Sequence, residues 1–569
     1  MHLILFDAER VAVGFHRYVT TYRSEHVSIV LKHRYYTTLY STTYIITTFK
    51  TVGEPVSGNG FERADADRNV PMSELRRRAG VRRRLVGLYR LQVRPASRRG
   101  LTDAHALVAQ RRGRALFREF RYVGTVKWTS AISGVVTSSL RRAGGFALVG
   151  TLSLAAPSLG PAAAAPFAAV AVLAAFGIDE GPLFELFARP GDRRDGRLNG
   201  LAGFSLAATV LALLATVPRT PMPLSVFVAA VLVLSYGNLG SKLVAETSSD
   251  PFLQAAGFVV GGFAAGGVGQ AAVANVTGDA LVLPTFAFLA ASGALVAALF
   301  RSVLYERDDP LVMLSTGLTL WLLAVLVTDV PPVEVGAALA VTIALGYVSY
   351  ALEAASVAGM LTGVLLGLLT IVLGGFGWFA VLITFFGVGA LSTKFRYEQK
   401  RERGVAEPNE GARGTGNVLG NSSVALVAVV AFAASNHLPV GGTAFQLAFA
   451  GSLAAAMSDT LSSEIGGLYD EPRLLTTFER VPPGTDGAVT WQGELAGVAG
   501  AALVATIAFA LWSLSPVETA FVVVGGVAGM TVDSVLGATV EGEYLGNATV
   551  NLLATLAGAV VTALLSIGL

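Results

Sequence analysis

Two aspartates near the ends of apolar segments, Asp459 and Asp533, are the residues of this sequence best suited to chemistry. A buried carboxylate needs a cation or hydrogen-bond donors, and carboxylates hold Mg²⁺ beside phosphate groups. Small residues recur at helical spacing around each aspartate, which lets a neighbouring backbone approach and turns the carboxylate toward protein. We predict that both aspartates are catalytic and hold one metal ion, with Glu464 as a third catalytic carboxylate. The small residues are Ser452, Ala456 and Ser463 around the first aspartate, and Gly525, Gly529 and Gly537, followed by Glu541, around the second.

A basic, glycine-rich stretch, 394–421, has the composition of a phosphate-binding loop. Backbone N–H groups converge at glycines, and the N-terminus of a following helix adds partial positive charge. A solvated loop at the membrane surface explains the same charges equally well. The predicted nucleotide- and phosphate-binding residues are Lys394, Arg396, Gly411, Arg413, Gly414, Asn417 and Asn421.

Two further polar segments complete the candidate site. In the stretch 474–490, turn-forming Pro482-Pro483-Gly484 follows Thr476 and Thr477, which we predict to contact the nucleotide. An ordinary connecting loop is the alternative. Asn547 and Asn551 lie one helical turn apart, so both can reach one ligand and orient the substrate. Asparagines also join membrane helices by hydrogen bonds.

Composition indicates the elements that must position these residues. Apolar residues make up 53% of the 569 residues and charged residues 14%. Windows of about 17–24 uncharged residues can each cross a hydrocarbon core of about 30 Å. We predict an all-α, polytopic integral membrane helix bundle of about 15 transmembrane helices, from 144–160 to 548–567. The first two segments also suit one broken hairpin. The chain has no cysteine, which excludes disulfides and thiolate-bound metals.

Charge divides the chain into unequal parts. Residues 1–127 have a net charge of +14 and are predicted to be disordered, or an extension that is not part of the natural protein; we expect no nucleic-acid partner. Residues 128–569 have a net charge of −11. With alternating spans, all basic residues after 127 except Arg219 fall on one side of the membrane. The positive-inside rule then makes that side cytoplasmic and places the polar motifs there, in the cell (plasma) membrane.

Several motifs resemble one known family in the expected order. They are Glu410–Arg413 with Asn417 and Asn421, Ser458–Thr460 with Ser463–Gly466, Leu475–Thr477 with Val481–Thr485, Gly487–Thr490, Asp533–Thr539, and Asn547 with Val550-Asn551. The stretch 334–569 thus resembles the integral membrane family called domain of unknown function 92, or the transmembrane-protein-19 family. Its plant branch looks like phytyl-phosphate kinase, akin to membrane kinases that use CTP. Residues 128–333 lie outside the resemblance and are predicted to form an accessory transmembrane domain.

Together these features favour a prenyl-phosphate kinase. The resemblance implies a phytyl-type phosphate as acceptor and CTP or another nucleotide as donor. We further expect that a geranylgeranyl-type phosphate can be the acceptor, and the paired carboxylates predict Mg²⁺ as cofactor. A CTP-dependent lipid cytidylyltransferase needs nearly the same ligands. A transporter is the alternative of another class, but transporters place charges near the bilayer midplane and carry internal repeats. The expected partners are the lipid bilayer, the prenyl phosphate and the nucleotide; the oligomeric state stays open.

Overall fold

The computed structural model describes residues 138–304, 308–327, 330–351, 355–406, 415–542 and 544–568. The predicted extension 1–127 lies outside the described residues. Within them the fold is an all-α membrane protein, as predicted, because twelve helices are long and apolar enough to cross a bilayer.

The part before the family-like region consists mainly of membrane helices. A long first segment, α1 (Ser138–Phe176), is interrupted by 3₁₀ turns at Thr151–Ala155 and Gly160–Ala164. The others are α2 (Gly181–Phe187), α3 (Pro190–Asp195), α4 (Asn199–Leu214), α5 (Leu224–Ala245), α6 (Pro251–Thr277), α7 (Leu283–Val303) and α8 (Asp309–Leu326).

The family-like part continues with the same kind of element. Its helices are α9 (Pro332–Ala351), α10 (Val357–Gly374), α11 (Phe376–Lys394), α12 (Tyr397–Glu402), α13 (Thr415–Ala433), α14 (Gly442–Gly466), α15 (Trp491–Trp512), α16 (Pro516–Thr539) and α17 (Asn547–Ile567). Two short antiparallel strands, β1 (Arg473–Leu474) and β2 (Ala488–Val489), close the loop between α14 and α15.

The predicted count of fifteen spans is not confirmed, and three places explain the difference. The segments 144–160 and 162–184 belong largely to the single bent segment α1. The segment 199–217 forms a shorter apolar helix, α4, of 16 residues. The segment 442–458 forms the longer helix α14, which is not apolar enough over its length to count as a span.

Helix α14 is less apolar because protein surrounds it. It packs against α11, α13, α15, α16 and α17, and from Phe449 to Ser458 every residue is buried. A helix that faces other helices instead of lipid tails needs small residues more than large apolar ones. The sequence accordingly reads Ala454-Ala455-Ala456 at its centre.

Close backbone contacts fix α14, α16 and α17 against one another. A Cβ added at Gly558 would lie 2.7 Å from Gly451 O and 3.0 Å from Gly525 O. One added at Gly529 would lie 2.3 Å from Cβ of Ala455. Gly525 and Gly529, on the face of Asp533, therefore contact other helices, as the sequence predicts, and α14 and α16 are held in register.

Contacts at helix ends show which ends share a side of the membrane. Tyr350 Oη donates to Asp250 Oδ2 at 3.0 Å, so the end of α9 meets the start of α6. The turns before α14 and α16 meet the end of α17 around another cavity, formed by Pro439–Ala444, Ser515–Phe521 and Ser566-Ile567. That cavity lies at the opposite helix ends from Asp459 and Asp533, so the end of α17 and the two aspartates lie on different sides.

The close contact at Gly558 generates the first prediction. Gly558→Ala adds a methyl group against two backbone oxygens, and we expect a loss of about 1–3 kcal/mol in the free energy of unfolding. The matched control is Gly267→Ala in α6, where no atom lies within 4 Å of the added Cβ. Thermal unfolding of both variants in detergent measures the difference. Equal melting temperatures would contradict the tight contact.

Candidate functional site

Helix ends and one loop enclose a cavity of about 460 Å³. Thr393 near the end of α11, Asn417 and Asn421 near the start of α13, and the last two turns of α14 line it. The last part of α16, the start of α17 and the segment 483–490 complete the wall. The polar motifs that lie far apart along the chain therefore meet in one place.

Asp459 and Asp533 form the centre of this cavity. Ala455 of α14 opposes Gly529 of α16, and one helical turn further on in both helices come the two aspartates. Their carboxyl groups are close enough to interact directly. Oδ1 of Asp533 is buried and has no hydrogen-bond partner among the described residues. Two carboxylates this close repel each other, so a proton or a cation must lie between them.

Glu464 also lines the cavity, but its carboxylate is paired. Lys400 Nζ lies 2.5 Å from Glu464 Oε2, and the lysine side chain is 1% exposed. The same Nζ donates to the backbone oxygens of Ser392, at 2.9 Å, and Thr393, at 2.7 Å. These are carbonyls at the C-terminal end of α11, where helices leave acceptors unsatisfied. The carboxylate of Glu464 is therefore held in this ion pair, and Lys400 connects α12 to both α11 and α14.

Lys400 is a residue that sequence reasoning missed. It stands in a run of basic residues, 394–403, whose composition is that of an ordinary solvated loop. The sequence predicted Lys394 and Arg396 to bind phosphate, but both are exposed and neither lines the cavity. Only the tertiary structure shows which side chain of the six-residue helix α12 turns inward.

The loop between α14 and α15 contributes a further carboxylate. Gly487 has a φ of +71°, and an added Cβ would lie 2.2 Å from Ala538 N and 2.4 Å from Ser534 O. Glycine is therefore required where the loop touches the last turn of α16. This contact brings Asp486 to the cavity wall beside Glu541.

The cavity is strongly acidic. Its carboxyl groups belong to Asp459, Glu464, Asp486, Asp533 and Glu541, and no Lys, Arg or His is among its described lining residues. Burial, and then the negative charges of Asp486 and Asp533, raise the pKa of Glu541 to about 7. The described lining residues therefore offer no basic side chain that would neutralise an anionic substrate.

The acidic residues suit a metal that is partly held by its substrate. Among the described residues, no group of three or more His, Cys, Asp or Glu side chains is arranged to hold a metal ion. Mg²⁺ is commonly bound by one or two carboxylates, with water and substrate phosphates as the other ligands. The pair Asp459–Asp533, with its unpartnered oxygen, fits that donor set.

Amides form the opposite wall of the cavity. Asn551 Nδ2 donates to Asn547 Oδ1 at 2.8 Å, so the two side chains are held together at the start of α17. Asn421 Nδ2 donates to Asn417 O at 2.9 Å near the start of α13. All four asparagines line the cavity, and amides can donate to phosphate or coordinate a hard cation.

Five other predicted site residues are not brought to the cavity by the described structure. Thr476 and Thr477 are exposed in the turn that follows β1 and do not line it. Gly411, Arg413 and Gly414 lie outside the described residues.

The raised pKa of Glu541 generates a pH prediction. Its carboxyl group binds a proton more tightly in the folded protein than at its ordinary pKa of 4.5. Stability therefore falls as pH rises from about 4.5 through about 7, and Glu541→Gln removes this fall. We expect the melting temperature of the unaltered protein, relative to that variant, to decrease between about pH 5 and pH 8 in EDTA. The control is Glu479→Gln, because Glu479 is exposed. If the melting temperature of the unaltered protein relative to this control fell with pH in the same way, the trend could not be assigned to Glu541.

The buried ion pair generates a stability prediction. Lys400→Met leaves the Glu464 carboxylate buried without its cation, which we expect to cost about 3–5 kcal/mol of unfolding free energy. The double variant Lys400→Met, Glu464→Gln should recover most of that loss. Arg480→Met, which breaks an exposed pair with Glu471, should cost about 1 kcal/mol or less. Denaturant titration in mixed micelles measures all three, and a double variant that is no more stable than Lys400→Met would contradict the pairing.

Comparisons with known proteins cover the region that contains the cavity. Residues 340–559 match the family described as "Integral membrane protein DUF92". An uncharacterised membrane protein of Methanocaldococcus jannaschii is 36% identical over 36% of this chain and 84% of its own length. Protein VTE6, chloroplastic, of Arabidopsis thaliana is 34% identical over 37% of this chain and 65% of its own length.

A third relative, an uncharacterised membrane protein of Synechocystis, is 31% identical over 32% of this chain and 73% of its own length. No solved structure matches the chain significantly. The family match spans α10 to α16, every described residue that lines the cavity, and both central aspartates. The chain therefore belongs to the integral membrane family DUF92.

Proposed function

We propose that the protein is a membrane prenyl-phosphate kinase, which transfers phosphate from CTP or another nucleotide to a phytyl- or geranylgeranyl-type phosphate. The observation that carries this proposal is the close pair of carboxyl groups Asp459–Asp533, with an unpartnered oxygen on Asp533, in an acidic cavity at helix ends. Family membership supports it, since the plant branch of the family looks like phytyl-phosphate kinase.

Mg²⁺ is part of the proposal. Asp459 and Asp533 would hold it, and Asp486 and Glu541 add to the negative potential that attracts it. The ion supplies neutralisation of phosphate charge, which an acidic cavity requires before a nucleotide can bind. No lysine or arginine among the described lining residues provides that charge directly.

The protein's own residues position the reactants. The asparagine pair at the start of α17 would orient the acceptor phosphate, and the loop that carries Asp486 would cover the nucleotide. Val535 and Leu552, each close in sequence to a cavity residue, are 38% and 37% exposed on the outer surface of the bundle. A prenyl tail can lie along such apolar surface while its phosphate reaches the cavity. Following the positive-inside rule, we propose the cytoplasmic side for this reaction.

The chemistry is a single phosphoryl transfer. An oxygen of the acceptor phosphate attacks the γ-phosphorus of the nucleotide, and the bond from that phosphorus to the bridging oxygen breaks. The products are a prenyl diphosphate and a nucleoside diphosphate. Because little covalent work falls to the protein in such a reaction, positioning and charge neutralisation provide most of the catalysis.

The proposal predicts loss of activity in aspartate variants. Full-length protein in detergent, with Mg²⁺, γ-labelled CTP or ATP and a panel of prenyl phosphates, should produce labelled lipid. Asp459→Asn and Asp533→Asn should lower turnover by at least about 10²-fold, because each removes charge stabilisation at the reacting phosphates. The control Asp470→Asn changes an exposed carboxylate paired with Arg403 and should retain activity.

The products decide between the proposal and its rivals. A labelled prenyl diphosphate with nucleoside diphosphate supports the kinase. Cytidine-linked lipid with release of pyrophosphate would replace it by a cytidylyltransferase. Full turnover in both aspartate variants would remove the site. If no acceptor gave either labelled prenyl diphosphate or labelled pyrophosphate, transport would be favoured.

A further inference from the structure

The cavity at the helix ends has two chemically different ends. The acidic end contains the carboxyl groups of the central pair and their neighbours, which belong to Asp459, Asp486, Asp533 and Glu541. The neutral end has no charged side chain and includes the one aromatic residue among the described lining residues. It is formed by Gly404, Val405, Gly467, Tyr469, Pro483 and Gly484. An occupant that fits both ends is therefore charged in one part and uncharged in the other.

Val405 holds the neutral end together. An added Cβ would lie 3.3 Å from Val405 Cγ1 at Gly484 and 3.2 Å from Val405 Cγ2 at Gly467. The connection after α12 therefore packs against both the start and the later part of the loop between α14 and α15. Gly404 and Gly484 have φ of +75° and +84°, a backbone conformation that favours glycine. Because neither has a side chain, a flat ligand can approach the backbone closely there.

Arg403 fixes the backbone around Tyr469. Its Nη2 donates to Tyr469 O at 2.8 Å, and its Nε donates to Gly467 O at 3.0 Å. The backbone N–H of Tyr469 donates to Gly466 O at 3.0 Å. The residue is nevertheless 42% exposed, so part of its surface is accessible to a ligand. An aromatic residue on a fixed backbone at a cavity wall is suited to stacking against a flat ring.

One short stretch of chain connects the two ends. Gly484 packs against Val405 at the neutral end, and Gly487, three residues later, touches α16 beside Ser534. Asp486 lies between these glycines in the sequence and lines the acidic end. Three residues span at most about 11 Å, so one small molecule can reach both ends.

We propose, on the basis of the proposed kinase function, that the neutral end binds the base of the donor nucleotide while its phosphates lie with the metal ion at the acidic end. A nucleotide has the same division as the cavity, since a flat, uncharged base is linked to a chain of charged phosphates. Stacking on an aromatic side chain suits every base, and the backbone at the glycines offers donors and acceptors for the edge of the base.

The prenyl tail of the acceptor does not suit the neutral end. Val405 lies in the connection after α12, and Tyr469 and Gly484 lie in the loop between α14 and α15. Connecting segments therefore form this end, and a hydrocarbon chain there would cover backbone polar groups without bonding to them. The cavity volume of about 460 Å³ is in the range of small-molecule sites, about 300–1,000 Å³.

The test compares nucleotides with a phosphate chain that lacks the base. Full-length protein in detergent with Mg²⁺ is titrated with CTP, with ATP and with inorganic tripolyphosphate, and binding is measured by isothermal titration calorimetry. The variants are Tyr469→Ala and Tyr469→Phe, of which the second keeps an aromatic ring. The control is Phe478→Ala, because Phe478 is in the same loop, is 67% exposed and lies outside the described lining of the cavity.

We expect the preferred nucleotide to bind at least about tenfold more tightly than tripolyphosphate, because the base adds stacking. Tyr469→Ala should abolish this difference by weakening nucleotide binding while tripolyphosphate binding stays unchanged. Tyr469→Phe and the control should keep the difference. A residue with a purely structural role would weaken both ligands together, so the difference between them measures the contact with the base.

Equal affinities for nucleotide and tripolyphosphate in the unaltered protein, or no binding of either nucleotide, would overturn the proposal. The same loss for both ligands in Tyr469→Ala would do so as well. The labelled-lipid assay separates this failure from failure of the kinase proposal. Base-dependent binding without labelled lipid would leave the base site and remove the kinase. Labelled lipid with a nucleotide KM that is unchanged in Tyr469→Ala would remove the base site and leave the kinase.

Discussion

The close contact of α14, α16 and α17 determines where the carboxylates of the cavity lie. Gly558 packs directly against the backbone oxygens of Gly451 and Gly525. The three helices can therefore lie this close together only in this register. Ala455 then opposes Gly529, and the next turn of each helix brings Asp459 to Asp533. A shift of one residue in either helix would separate the two aspartates. The small residues therefore set the site geometry without contacting any ligand.

The register also explains why a buried acidic site can exist in a membrane bundle. The central helix α14 is shielded from lipid by its neighbours, so its carboxylates face protein and the cavity. Each of the other carboxylates has its own arrangement: Glu464 is neutralised by Lys400, and Glu541 has a pKa raised toward neutrality. The central aspartate pair is left with an oxygen that no described protein donor meets. Negative potential is thus concentrated where a divalent cation and a phosphate would meet.

Much of this could be predicted from the sequence, because local spacing encodes it. The four-residue interval of glycines before Asp533 predicted backbone contact, which is present. The interval between Asn547 and Asn551 predicted that both can reach one ligand; both line the cavity, and their side chains are hydrogen-bonded to each other. The all-α membrane class followed from composition. The span count was less accurate because apolarity measures exposure to lipid, and α14 is surrounded by protein.

What could not be predicted depends on contacts between distant segments. Lys400 pairs with a residue 64 positions away, and nothing in its basic neighbourhood distinguishes it from exposed Lys394. Asp486 reaches the cavity only because Gly487 touches the end of α16. Glu541 continues the four-residue spacing of Asp533, so the sequence did indicate that it lies on the same helical face. Its raised pKa, however, depends in part on the contact with Asp486, which the sequence does not indicate.

The acidic cavity has a consequence for any phosphate that binds there. Its carboxylates lie at helix ends, where polar groups can be reached without crossing the hydrocarbon core. Among the described lining residues no basic side chain stands beside them, so the described walls alone would repel a phosphate group. A divalent cation held by the central aspartate pair would reverse that repulsion at the point where a phosphate must react. The same carboxylates that make the cavity unfavourable for a free anion would thus make it favourable for an anion bound together with its metal.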